Sequence, residues 1–298
     1  MAQPSTLHRS LELAGTLPAL MVAADRVAAT VIQGVHGRRR VGQGDAFWQY
    51  RPYREGDSAS QIDWRQSARS RHLFVRETEW EAAASVWLWR DASPSMQYAS
   101  LRNIDTKAVR AELITLAVAS LLTDAGERIA ILGSGMRPIS GRVAVRRVAE
   151  SLYDETREAA HALPSQPPLV PLPAHGTVVL VSDWLDPLEQ VEAMIRHYAS
   201  AGVRGHLVQV LDPAEEDLPF NGHVKFEGLE AEGQHTVRRV ESVRTAYGAR
   251  LAAQKEGLQR LTRSAGWTVH MHRTDRPPQT VLLSLYLAMA DLRRLNAA

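Results

Sequence analysis

The sequence predicts an α/β protein built on a doubly wound, mostly parallel sheet. Three observations carry that prediction. Short apolar runs rich in strand-forming residues recur at 85–90, 128–133, 177–182, 205–211 and 267–272, and longer stretches with helical spacing of apolar residues separate most of them. Three of the runs are followed at once by an acid, Asp91, Asp183 and Asp212. The carboxyl ends of strands are where an open α/β sheet places its ligands. Length agrees, because 298 residues suffice for one large domain or two modest ones with a packed core.

Taken in order, residues 17–33 are apolar and helix-permitting, with Pro18 in the first turn where a missing donor costs nothing. Gly34 and Gly37 stop that helix. Arg38, Arg39 and Arg40 then form a basic cluster, either a solvated face or a contact for an anion or partner. Residues 42–76 are dense in Gly, Arg, acids and aromatics without a sustained helical period, which marks a functional or ion-pair-braced loop. A helical and loop-rich extension, residues 1–75, therefore precedes the sheet domain, residues 76–298.

Within that domain, residues 104–124 place Ala111, Ile114, Val118, Leu121 and Leu122 on one helical face, and Gly126 ends the helix. A second helix is expected over 143–162, and the proline-rich stretch 163–173 reads as a surface connector. Helices follow at 187–201, 242–264 and 277–295. A small β excursion over 215–240, with arms at 224–227 and 236–239, interrupts the alternation. His270 and His272 alternate on the last strand and share a face. With no third ligand nearby in sequence they read as edge or surface imidazoles.

Composition excludes several classes of function. There are no cysteines, which removes disulfides, thiolate catalysis and cysteine-based zinc or iron–sulfur centres. A net charge of +2, from 35 basic and 33 acidic residues, gives no reason to expect nucleic acid. Residues 1–10 lack the basic start and apolar core of a secretory signal. The longest apolar stretches, 17–24 and 281–290, fall short of the roughly 20 residues that span a bilayer. A soluble, cytoplasmic protein without stable membrane insertion is the expectation.

The chemistry concentrates in Asp91-Ala92-Ser93-Pro94-Ser95. An acid and two alternate hydroxyls can aim their oxygens at one spot. Oxygen-only donors suit a hard ion such as magnesium, which keeps several waters and takes one or two carboxylates. The competing reading is a loop with an Asx turn or a serine helix cap.

An ordered series precedes this motif: Tyr53-Arg54-x-Gly56-Asp57, Ile62-Asp63-Trp64, Ser67-Ala68-Arg69, Leu73-x-Val75-Arg76-Glu77, Glu79 and Glu81. With the Asp91 motif at its end, it resembles the bacterial domain of unknown function 58 family. These are von Willebrand factor A-like proteins associated with MoxR-type AAA+ ATPases. The resemblance implies a metal-ion-dependent adhesion site at Asp91, Ser93 and Ser95, completed through water by an acid at the end of a neighbouring strand, here Asp183. It also implies a threonine from a glycine-flanked loop. Between Ser140 and His175 only Ser151, Thr156 and Ser165 occur, none in such a loop, so the implied site lacks that ligand.

Read as residues, Arg54, Arg65, Arg69 and Arg76 can pair with Asp57, Asp63, Glu77 and Glu79, while Trp64, Tyr53 and Phe47 supply apolar anchors. That describes a braced collar or a partner-binding face. The function expected is protein binding rather than catalysis. The chain would be an adaptor for a MoxR-type AAA+ ATPase or its client, in complex assembly or metal-centre insertion, with magnesium at Asp91, Ser93, Ser95 and Asp183. A metal-free scaffold of the same fold is the alternative. A metal-dependent hydrolase using Asp57, Asp63 and Glu77 comes third, because no nucleophile with an adjacent base is evident.

Overall fold

The computed structural model describes residues 21–32, 47–53, 62–70, 72–78, 84–158, 164–229 and 233–296. The chain divides into two compact units, His36–Ala83 and the combination of Met1–Val35 with Ala84–Ala298. Helix α1 covers residues 21–32, and the rest of the helix expected over 17–33 lies outside the described residues.

The smaller unit holds strand β1 (Phe47–Pro52), helix α2 (Trp64–Ser67) and strand β2 (Phe74–Thr78), with the two strands paired antiparallel. Asp63 caps α2 by accepting the Gln66 N–H at 2.9 Å, and the Ser67 hydroxyl accepts the Phe74 N–H at 2.9 Å. Trp64, expected as an apolar anchor, is 64% exposed. The remaining collar residues Arg54, Asp57, Glu79 and Glu81 lie outside the described residues, as do Arg38, Arg39 and Arg40.

The larger unit continues with β3 (Ser85–Arg90), α3 (Lys107–Asp124), β4 (Arg128–Ile131), α4 (Arg142–Glu158), β5 (Thr177–Ser182) and α5 (Leu188–Ser200). Then come β6 (Arg204–Leu211), α6 (Pro213–Asp217), β7 (Val224–Glu227), β8 (Gln234–Val237), α7 (Val240–Ser264), β9 (Thr268–Arg273) and α8 (Gln279–Asn296). Five strands form a fully parallel sheet in the order β4-β3-β5-β6-β9.

Strand geometry sends successive side chains to opposite faces, and the core divides accordingly. Val86, Leu88, Val179 and Val181 pack on one side with α1, α3, α4 and α8. Trp87, Trp89, Val178 and Leu180 pack on the other with α5 and α7. Burial of each such side chain contributes roughly 1.5–3 kcal/mol. Gly205 is required by this packing, because a Cβ there would lie 2.0 Å from the Trp267 ring.

Three expectations are corrected. Residues 215–217, the start of the expected β excursion, belong to helix α6 instead, because Asp212 and Glu215 form a capping box. The second arm of the excursion sits at Gln234–Val237 instead of 236–239. His270 and His272 do lie on an edge strand but are buried, at 8% and 6% exposure. The His270 Nδ1 is 2.8 Å from the Ser284 hydroxyl of α8, which covers that face.

Candidate functional site

The topology fixes where the site lies. From β3 the chain moves outward to β4, then returns past β3 to β5 and proceeds to β6 and β9. The strand order therefore reverses between β3 and β5, and a crevice opens at their carboxyl ends. Asp91 and Asp183 stand there, each one residue beyond its strand.

Asp91 is fully buried, and its N–H donates to the Val181 carbonyl at 2.8 Å. Its Oδ1 accepts the Ser93 N–H at 2.7 Å, which is an Asx turn, and its Oδ2 accepts the Ser182 hydroxyl at 2.7 Å. The Ser93 and Ser95 hydroxyls are 3.1 Å apart, and the Ser95 hydroxyl donates to Asp183 Oδ2 at 3.2 Å. All four residues singled out in the sequence thus meet in one connected network. Burial pushes the Asp91 carboxyl up to about 6, against hydrogen bonds from Ser93 and Ser182, and the neighbouring Asp183 charge adds to the rise.

Two members of the cluster escaped sequence reasoning. Lys107 opens α3 just after the Thr106 N-cap, and its side chain is 1% exposed. Its ammonium donates to Asp183 Oδ2 at 2.8 Å and to Glu215 Oε1 at 2.5 Å. Burial alone would lower its pKa, but the Asp183 and Glu215 carboxylates together outweigh that and raise it, so the group stays charged. Glu215 comes from α6, where its other oxygen accepts the Asp212 N–H at 2.8 Å. The legible signals were a lysine at a helix N-terminus, where the macrodipole disfavours a cation, and the Asp212-Pro213-Ala214-Glu215 cap.

This network is part of the floor of a groove of about 580 Å³. Ser95, Lys107, Asp183 and Glu215 line it below, while Leu185, Phe220, Phe226 and Leu229 give it apolar walls. Phe220 and Phe226 meet edge to face, with centroids 5.8 Å apart, and Phe226 belongs to the β7–β8 hairpin. Leu185 and Leu229 are 40% and 48% exposed. Hydrogen-bonding groups below and exposed apolar side chains around them are what a binding cleft needs.

The donor set does not fit a magnesium ion as it is arranged. Asp183 Oδ2 already holds an ammonium, and a dication sharing that carboxylate would face a fixed positive charge at a buried position. Among the described residues, no group of three or more His, Cys, Asp or Glu side chains is arranged to hold a metal. Of the acids proposed for hydrolysis, Asp57 lies outside the described residues and Asp63 is the α2 cap. Glu77 pairs opposite Gln49 in the β1–β2 ladder.

The sequence profile described as "Protein of unknown function DUF58" matches residues 49–257. This chain belongs to the DUF58 family. Among similar proteins are uncharacterised proteins of Mycobacterium tuberculosis and Mycobacterium bovis. Each is 26% identical over 297 residues, covering 92% of this chain and 89% of the relative. A crystal structure described as an uncharacterised membrane-spanning protein from Vibrio fischeri is 13% identical and covers 70% of this chain and 96% of its own. Its TM-score of 0.17 carries no structural argument. No helix among the described residues of this DUF58 chain is long and apolar enough to cross a membrane.

Proposed function

We propose that this DUF58 protein is a non-enzymatic, cytoplasmic protein-binding adaptor of von Willebrand factor A-like type, and that the groove at the ends of β3 and β5 takes a segment of its partner. One observation supports this most: Ser95 and Asp183, braced from beneath by the buried Asp91 and Ser93 at the switch point of the sheet, line the floor of a cleft with apolar walls. Polar groups at the base of such a cleft fix register, and apolar walls supply affinity. The motif resemblance supplies the partner, a MoxR-type AAA+ ATPase or its client, and the process, complex assembly or metal-centre insertion.

A pulldown with a purified MoxR-type ATPase tests the reading. Wild-type protein retains the ATPase, and Leu229→Asp loses it without loss of stability, since that side chain is already half exposed. Equal retention by both proteins removes the groove from the function. Magnesium at Asp91, Ser93, Ser95 and Asp183 is the competing form of the same proposal. It is favoured by the convergence of oxygen donors and needs Lys107 to leave Asp183.

A further inference from the structure

We infer that the ammonium of Lys107 is the resident cation of this site, so that the groove works without a divalent metal. The inference rests on reading the groove as the binding surface, but its test needs no partner, so the two can fail separately. Five observations carry it. The Lys107 side chain is buried to 1% exposure, which a lysine that keeps its charge tolerates only when that charge is paired. Its nitrogen contacts carboxylates from two different elements, Asp183 after β5 and Glu215 in α6, at 2.8 and 2.5 Å. Asp183 Oδ2 also accepts the Ser95 hydroxyl, so the ammonium is linked to the Asp91 motif through that one shared carboxylate oxygen.

The placement also opposes local preference. As first residue of α3, Lys107 stands at the positive end of the helix dipole, where a cation is unfavourable unless carboxylates outweigh the dipole. Glu215 is held for this contact by its capping box and by the Tyr247 hydroxyl, which donates to the Glu215 carbonyl at 2.6 Å. Such a cation is covalently attached and is not removed by chelators. It joins three segments, after β3, after β5 and in α6, and holds the groove floor in one shape.

Chemical unfolding of the full chain, in chelator and in millimolar magnesium at matched ionic strength, tests this. The wild-type midpoint is expected to be the same in both, and calorimetric titration of magnesium to give no saturable heat. Lys107→Met is expected to lower the unfolding equilibrium stability by roughly a hundredfold or more, because it strands two buried carboxylates. Should that variant not fold, Lys107→Met with Asp183→Asn is expected to fold and to lose less than the sum of the separate changes. Saturable magnesium binding by the wild type that Ser95→Ala abolishes would overturn the inference. So would a Lys107→Met protein as stable as the wild type.

Discussion

Lys107 Nζ lies 2.8 Å from Asp183 Oδ2, and this contact ties the start of α3 to the end of β5 in the interior of the sheet's carboxyl edge. Removing one partner of a buried pair costs more than the pair contributes, because the other charge is left unpaired. Lys107→Met is expected to destabilise the chain by about 3 kcal/mol or more at neutral pH, read from urea unfolding. The loss should shrink in mild acid. Burial already raises the Glu215 carboxyl, and without the ammonium it takes up a proton sooner.

Asp91 gives a pH dependence of opposite sign to the usual paired carboxylate. Its folded pKa of about 6 exceeds the ordinary 3.8, so between those values the native state binds the proton first. The charge therefore costs stability above pH 6, and the cost is relieved as pH falls towards 4. Asp91→Asn removes the charge and keeps an acceptor for the Ser93 N–H. Its stability relative to wild type should be greatest at neutral pH, with a gain of order 1 to 3 kcal/mol that fades in acid. A gap that does not change with pH would contradict the assignment.

Three buried histidines act the other way. Burial lowers His206 to about 3, and His270 and His272 to about 4, from 6.5. As pH drops below 6.5 the unfolded chain takes the protons first, and each histidine removes up to roughly 1.4 kcal/mol of stability per pH unit. His206 is bonded through Nδ1 to the Thr268 hydroxyl at 2.8 Å, a contact that glutamine can reproduce. His206→Gln should flatten the acid limb of the stability profile by about one proton, measured as the slope of unfolding free energy against pH.

Gly205 tests the packing on the second face. A Cβ at that position would enter the Trp267 ring, whose indole N–H is fixed to the Val203 carbonyl at 3.2 Å. Gly205→Ala should cost about 1–3 kcal/mol in thermal or urea unfolding. Gly126→Ala is a poor control because of its positive φ, but Gly248→Ala in α7 meets nothing and should be neutral or stabilising.

The parts of this architecture legible in the sequence were those governed by local pattern. Apolar runs gave the five parallel strands, and the acids that ended two of them, Asp91 and Asp183, marked the crevice. The Asp91-x-Ser93-x-Ser95 spacing foretold a turn whose oxygens converge. The pairing of Lys107 with Glu215 and Asp183 was hidden because the three are remote in sequence, although a lysine in the first turn of a helix is itself a departure from local preference. Residues 215–217 were assigned to a β excursion, although the Asp212–Glu215 cap was written in the spacing. Burial of His270 and His272 depends on α8 folding over β9, a tertiary event with no local signature.

Site-specific photocrosslinking to the MoxR-type ATPase tests the binding proposal most directly. A photoreactive residue at Leu229, on the groove wall, is compared with one at Arg146, an exposed position on α4. Crosslinks from position 229 and none above background from 146 are expected, unchanged by chelator. Crosslinks from 146 alone, or equally from both, would contradict a binding groove at the ends of β3 and β5.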